Sequence, residues 1–461
     1  MSTWNYWQGM QGMQGMQGMQ GMQGMQGMQG MVAANPAFAL GPGAEPAHAV
    51  GLILNREALL QYRGGQPILF ELPGAFRDVD SADGLPKIDE PRRLDQWSAD
   101  IRFENLLAEL IRPLHISADA ARRSVTVRHV ALNWAVVAAG AGKNAAAGAK
   151  GKPKTKAKAK AEAAATVTDC LTAGSLTPTA TAWPIYRVVR PGRTVFAKQL
   201  PLVAIWADLR AERMQEIITQ IGLPMQYWSA ILDLNPTTYR YTLELLHLAL
   251  AVTSYLNQPS KHYLACPRPV DYSPSIQPLI NARRFAAFPS GHAAEAFVVA
   301  RMLAALSGSV PAGMPPAPGS EALRQYDQLQ KLAARIANNR VVAGVHFPID
   351  STAGRMVGET TAEYLLHRCG ALDVGWVPRT FDGAPLLPDD PVVALGFDRS
   401  EPMDLVDKPS GTTLPPYFHC NVLGRIPAGG GGLVDGSANS FLKRLWQQAS
   451  AEWRNTYPVA V

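Results

Sequence analysis

Three short stretches, far apart but in a fixed order, carry the residues able to do chemistry. Lys261 is followed after six residues by Arg268-Pro269; next comes Pro289-Ser290-Gly291-His292, and then Asn339-Arg340 with His346 and Asp350. Together they supply three cations, two histidines, a hydroxyl and a glycine N–H. A tetrahedral or trigonal-bipyramidal oxyanion demands such a set: forked guanidiniums hold two oxygens each, and a lysine adds a point charge.

The elements that must position these residues read as helices. Pro289-Ser290-Gly291-His292 stands directly before an apolar helix over Ala293–Leu306, and the free N–H groups of a helix start favour an anion. Taken alone, the tetrapeptide is equally a plain helix start, because Ser is a good N-cap. A central helix, apolar nearly all round, is predicted over Thr238–Asn257, with Lys261 and Arg268 following it in a connection stiffened by Pro259, Pro267 and Pro269. Ala322–Asn338 places Leu323, Tyr326, Leu329, Leu332, Ala333 and Ile336 on one stripe, with Arg340 at its end. His346 precedes Pro348, which suits the first position of a helix running to about His367, so Asp350 falls in its first turn. There it either answers the helix dipole or orients an imidazole so that the opposite ring nitrogen attacks or ligates.

Further predicted elements are an amphipathic segment at 201–221, short helices at 99–113 and 437–455, and Ser124–Val137 as strand or buried helix. The organisation that follows is a Gln-Gly-Met repeat within 1–31, an irregular covering region at 32–137 and an Ala/Lys-rich loop at 138–166. A catalytic helical bundle at 167–370 and a C-terminal wrap with a final helix at 371–461 complete it. The repeat holds eight of the fifteen methionines and reads as a disordered tract of slippage origin.

The net charge of +6 suggests acidic partners until it is located. Residues 139–166 carry Lys143, Lys150, Lys152, Lys154, Lys156, Lys158 and Lys160 against Glu162 alone, so the rest of the chain is neutral overall. With no aromatics among those lysines, a specific nucleic-acid platform is not indicated. Cys170, Cys266, Cys369 and Cys420 are scattered without a paired motif, which suits a reducing compartment. No basic-then-apolar leader and no run long enough to span a bilayer are visible, so the chain reads as soluble and cytoplasmic.

The three stretches resemble the signature of the superfamily joining type-2 phosphatidic acid phosphatases, bacterial acid phosphatases and vanadium-dependent haloperoxidases. The match covers about residues 240–367, and the one departure is Asn339, where the family usually has Ser. The resemblance implies an all-α fold, a helical bundle of the vanadium haloperoxidase and acid phosphatase type with irregular N- and C-terminal extensions. It also implies roles: Lys261, Arg268 and Arg340 on the equatorial oxygens, with Ser290 and the Gly291 N–H hydrogen-bonding to them. His292 is then the apical acid/base, and His346 attacks phosphorus or ligates vanadium. Bound vanadate has the shape of the phosphoryl-transfer transition state, so one pocket suits both chemistries.

Two local features lean to the haloperoxidase. Ala293 follows the histidine, and Phe285, five residues before Ser290, matches an aromatic lining the halide side of the pocket, although core packing is its simpler role. The Cys266-Pro267-Arg268-Pro269 context leans to the phosphatase. The cofactor is then vanadate for a haloperoxidase acting on peroxide and halide, and none for a phosphatase acting on a phosphomonoester. A non-catalytic phosphate-binding relative needs neither His292 nor His346. Halide preference and oligomeric state are left open.

Overall fold

The computed structural model describes residues 99–136, 176–222, 225–281, 285–309, 319–372, 375–382, 420–422 and 441–454. The Gln-Gly-Met repeat, the covering region before residue 99, the Ala/Lys-rich loop and most of 383–440 lie outside them. In chain order the elements are α1 (Ala99–Ile111), β1 (Leu114–Asp119), β2 (Ser124–Val136), β3 (Leu176–Val189), α2 (Arg193–Trp206) and α3 (Arg210–Thr219). There follow α4 (Met225–Leu232), α5 (Arg240–Leu264), α6 (Pro269–Tyr272), α7 (Gly291–Leu306), α8 (Glu321–Val342), α9 (Pro348–Arg368), β4 (Arg379–Phe381), β5 (Cys420–Val422) and α10 (Phe441–Arg454).

The expected helical bundle is present. Helix α7 lies among α5, α8 and α9, and contact on several sides explains why its sequence is apolar all round. Ala293, Phe297, Val298, Met302 and Leu303 are all buried. Two glycines bring α9 onto α7. A Cβ at Gly354 would lie 2.5 Å from the Ser290 carbonyl oxygen, and one at Gly358 would lie 2.4 Å from that of Ala294. Backbone therefore meets backbone at this crossing, as glycine alone permits.

Two outer helices lock α5 in place. Arg102 of α1 donates to both carboxylate oxygens of Glu244, at 2.6 and 2.5 Å, a buried bidentate pair. On α10 the buried residues Leu442, Leu445, Ala449 and Trp453 form one stripe. Glu452 of α10 accepts from the N–H groups of Tyr241 and Thr242, at 2.7 and 2.8 Å. It thereby satisfies two orphan donors at the start of α5.

Three boundaries differ from the sequence expectation. Helix α5 runs past Asn257 to Leu264, so Pro259 is inside it and Lys261 is in its last turn rather than in a connection. The ring removes only one helical hydrogen bond, while Ser260, Lys261 and Leu264 are buried by continuing. Helix α8 extends to Val342 and carries Arg340 within it. The segment 201–221 is split, because Ala207–Leu209 tightens into a 3₁₀ turn between α2 and α3.

A five-stranded sheet in the order β1-β2-β3-β4-β5 accompanies the bundle. Segment 124–136 resolves as strand: β2 pairs antiparallel with β1 and β3, and β3 pairs parallel with β4. Val125, Val127, Tyr186 and Val188 are buried, and the sheet packs on α5 and α9. At that seam His129 Nδ1 lies 2.9 Å from the Tyr364 hydroxyl. No described helix is long and apolar enough to cross a membrane.

Candidate functional site

The end of α5 positions the first two cations. Ala265 ends the helix in the left-handed conformation, φ 48°, with its N–H donating to the Lys261 carbonyl at 2.9 Å. The chain then turns through Cys266 and Pro267 into Arg268, whose N–H donates to Asp271 at 2.8 Å. Lys261 Nζ donates to the carbonyls of Ala287 and Ala286, at 2.7 and 3.3 Å. Arg268 donates through Nε to the Phe285 carbonyl (3.0 Å) and through Nη1 to the Val345 carbonyl (2.7 Å). Each cation thus anchors the backbone of another stretch. The Phe285 ring, 39% exposed, lies 4.8 Å from the Arg268 guanidinium carbon and 5.5 Å from Lys261 Nζ.

The second stretch is a helix start held by α9. Ser290 caps α7, accepting from the Ala293 N–H at 3.4 Å, and its own N–H donates to the Asp350 carbonyl at 2.9 Å. Its hydroxyl proton is then free for a ligand. Gly291 opens the helix without a Cβ; one added there would lie 3.4 Å from Asn257 Nδ2 and 4.0 Å from Lys261 Cε. His292 Nε2 donates to the Gln220 carbonyl at 3.1 Å, which leaves Nδ1 as the acceptor of a neutral ring.

The third stretch brings the remaining cation and the second histidine. Asp350 is fully buried, and one of its oxygens accepts from His346 Nδ1 at 3.0 Å and from the Phe347 N–H at 2.9 Å. This fixes the tautomer and leaves His346 Nε2 with its lone pair. Arg340 donates through Nη2 to the Ile217 carbonyl (2.9 Å) and to Gln220 Oε1 (3.3 Å), whereas its buried Nε and Nη1 have no protein acceptor. Unmatched guanidinium donors in a dry site fit an anion with several oxygens.

The electrostatics agree with the geometry. Burial, reinforced by Arg268, Lys261, His292 and Arg340, holds His346 well below its ordinary range. Burial, then Arg340, pulls His292 down to about 3. Burial and then Arg268 lower Lys261 to about 7, while burial raises Asp350 to about 7 against the Phe347 N–H, Lys261 and Arg268. Burial above all, with Arg268 beside it, makes the charge on Lys261 costly, and a bound oxyanion would offset that cost.

The structure brings Lys261, Arg268, Ser290, Gly291, His292, Arg340, His346 and Asp350 together at one end of the bundle, with Phe285 over two of the cations. Sequence reasoning missed Gln220, whose carbonyl holds His292 and whose side chain holds Arg340. A glutamine at the end of α3 carries no spacing signal. It also leaves Asn339 with only a general hydrogen-bonding role. In the structure its Nδ2 donates to Glu216 and Gln220, both at 2.9 Å, behind Arg340. A serine is too short to make this double bridge. A cavity of about 410 Å³ bordered by Arg123, Arg190, Arg193 and Tyr272 is separate, since none of the oxyanion residues lines it.

An arrangement of cations, a helix start and two neutral histidines, one aimed by a carboxylate, is chemically suited to holding an oxyanion in a helical bundle. The comparison with known families agrees: residues 243–370 match the PAP2 superfamily model. This segment belongs to the superfamily of type-2 phosphatidic acid phosphatases and haloperoxidases. No curated protein matches the chain.

Proposed function

We propose that the chain is a vanadium-dependent haloperoxidase, converting hydrogen peroxide, a halide and a proton into hypohalous acid and water. The residues fit vanadate: Lys261, Arg268 and Arg340 would hold its oxygens, and the buried, unmatched Nε and Nη1 of Arg340 need such an acceptor. His346 Nε2 is the remaining ligand position, kept unprotonated by burial and aimed by Asp350. When bound, vanadate supplies the Lewis-acid centre that activates peroxide. His292 takes up and returns the peroxide proton through Nδ1, its other nitrogen being tied to Gln220.

The observation favouring this chemistry is Phe285. Its partly exposed ring against Lys261 and Arg268 forms an apolar wall beside positive charge, a surface suited to a large, weakly hydrated halide. The second reading is a phosphomonoester hydrolase. The His346–Asp350 pair favours it, being an imidazole held with Nε2 free to attack phosphorus; the ester P–O bond breaks, the alkoxide leaves as the alcohol on taking a proton, and water then cleaves the phosphohistidine to phosphate.

A paired assay separates the two. The purified protein is tested for phosphate release from an aryl phosphate and, after vanadate loading, for bromination of an electron-rich ring by peroxide and bromide. Bromination is the expected result; vanadate that inhibits the first activity and never confers the second sinks the haloperoxidase reading. His346→Ala is expected to abolish whichever activity is present, and a fully active variant removes the site assignment.

A further inference from the structure

Asn257 lies on α5 one turn before Lys261 and is 1% exposed. Both of its side-chain polar atoms, Nδ2 and Oδ1, are buried without a hydrogen-bond partner. Buried amides are almost always paired, so a wholly unpaired one in a well-packed helix points to a missing ligand. Its place says which ligand. A Cβ on Gly291 would lie 3.4 Å from Asn257 Nδ2, so the amide borders the backbone of the α7 start. Glu295 Oε1 and Lys261 Cε lie 3.9 and 4.0 Å from that same point.

We propose that the Asn257 side chain is a further oxyanion-binding group, beside the Gly291 backbone and one helical turn from Lys261. This rests on the oxyanion reading of the site but not on the choice between vanadate and phosphate chemistry. An amide offers one donor edge and one acceptor edge. Nδ2 donates to a charged oxygen, and Oδ1 accepts from an oxygen that keeps its proton. The pair therefore selects a partly protonated oxyanion, such as monohydrogen phosphate or protonated vanadate, over a fully ionised or fully esterified one. Lys261 and the arginines are donors only and cannot make that distinction.

The test uses orthovanadate and inorganic phosphate with the full chain. Asn257→Leu keeps the branched shape and removes both polar atoms; Asn257→Ala covers the case in which the bulkier leucine prevents folding. Affinity is measured by calorimetry, and the anion-free melting temperature is recorded alongside. The expected result is a melting temperature at or above wild type, because an unpaired buried amide has been removed, together with about 10-fold weaker anion binding. Unchanged affinity overturns the proposal. So does a loss of affinity matched by a fall in melting temperature, since a distorted helix then accounts for both. Failure of the wild-type chain to bind either anion counts instead against the oxyanion site itself.

Discussion

Lys261 and His346 are both pushed toward their neutral forms by burial among like charges, and that sets how the site responds to protons. Lys261 sits near 7 when the site holds no anion; a bound anion raises it, so at pH 8 binding takes up a proton and affinity falls as pH rises beyond about 7. Calorimetry of phosphate binding at pH 8 in two buffers of different ionisation enthalpy reads this uptake. No buffer dependence disproves it. Behind the site, Gln220→Ala removes the acceptor of Arg340 and Asn339 while keeping the carbonyl that holds His292. The expected cost is about 1–2 kcal/mol of stability in urea unfolding, with weaker phosphate binding. The three motif stretches are legible in sequence because charge and histidine at fixed spacing are rare together. Gln220 is not, since its role depends on where α3 meets α8. Asn257 leaves a faint trace, an amide four residues before Lys261, just past the apolar run of its helix.

At the scale of elements, the bundle helices are legible from their apolar patterning, and their ends are not. Burial of Lys261 and Leu264 carries α5 through Pro259, and only tertiary contact reveals that. The sheet is legible in part: Val125 and Val127 alternate inward in β2, but its pairing with β3 joins segments on either side of the Ala/Lys-rich loop. The α7–α9 crossing gives a sharp prediction. Gly354→Ala places a methyl 2.5 Å from the Ser290 carbonyl, and overpacking against backbone costs about 1–3 kcal/mol, more than the roughly 1 kcal/mol gained in helix propensity. Chemical denaturation is expected to show net destabilisation, accompanied by weaker anion binding because Ser290 moves. A variant as stable as wild type contradicts the crossing geometry.

Across the described residues, histidines held neutral by burial lead the acid response. His129 is lowered to about 4 and His292 to about 3, each chiefly by burial, and His247 and His346 are lowered too. Below about 6.5 the unfolded chain protonates these groups and the folded chain does not, so stability falls as pH drops from there toward 4. Asp350 and Glu452, raised by burial, act in the opposite direction. Glu216, lowered by Arg335, and Glu359, lowered despite its burial by Arg355 and Arg379, act with the histidines, so six of these groups oppose two. A lower denaturant midpoint at pH 5 than at pH 7 is expected, and a higher one refutes the balance. The glycine contact between α7 and α9 also limits how the protein can change. Main chain touching main chain acts as a fixed gauge on the width of the anion cradle, one that ordinary side-chain drift leaves alone. Side-chain changes at the exposed Phe285 therefore leave that width untouched.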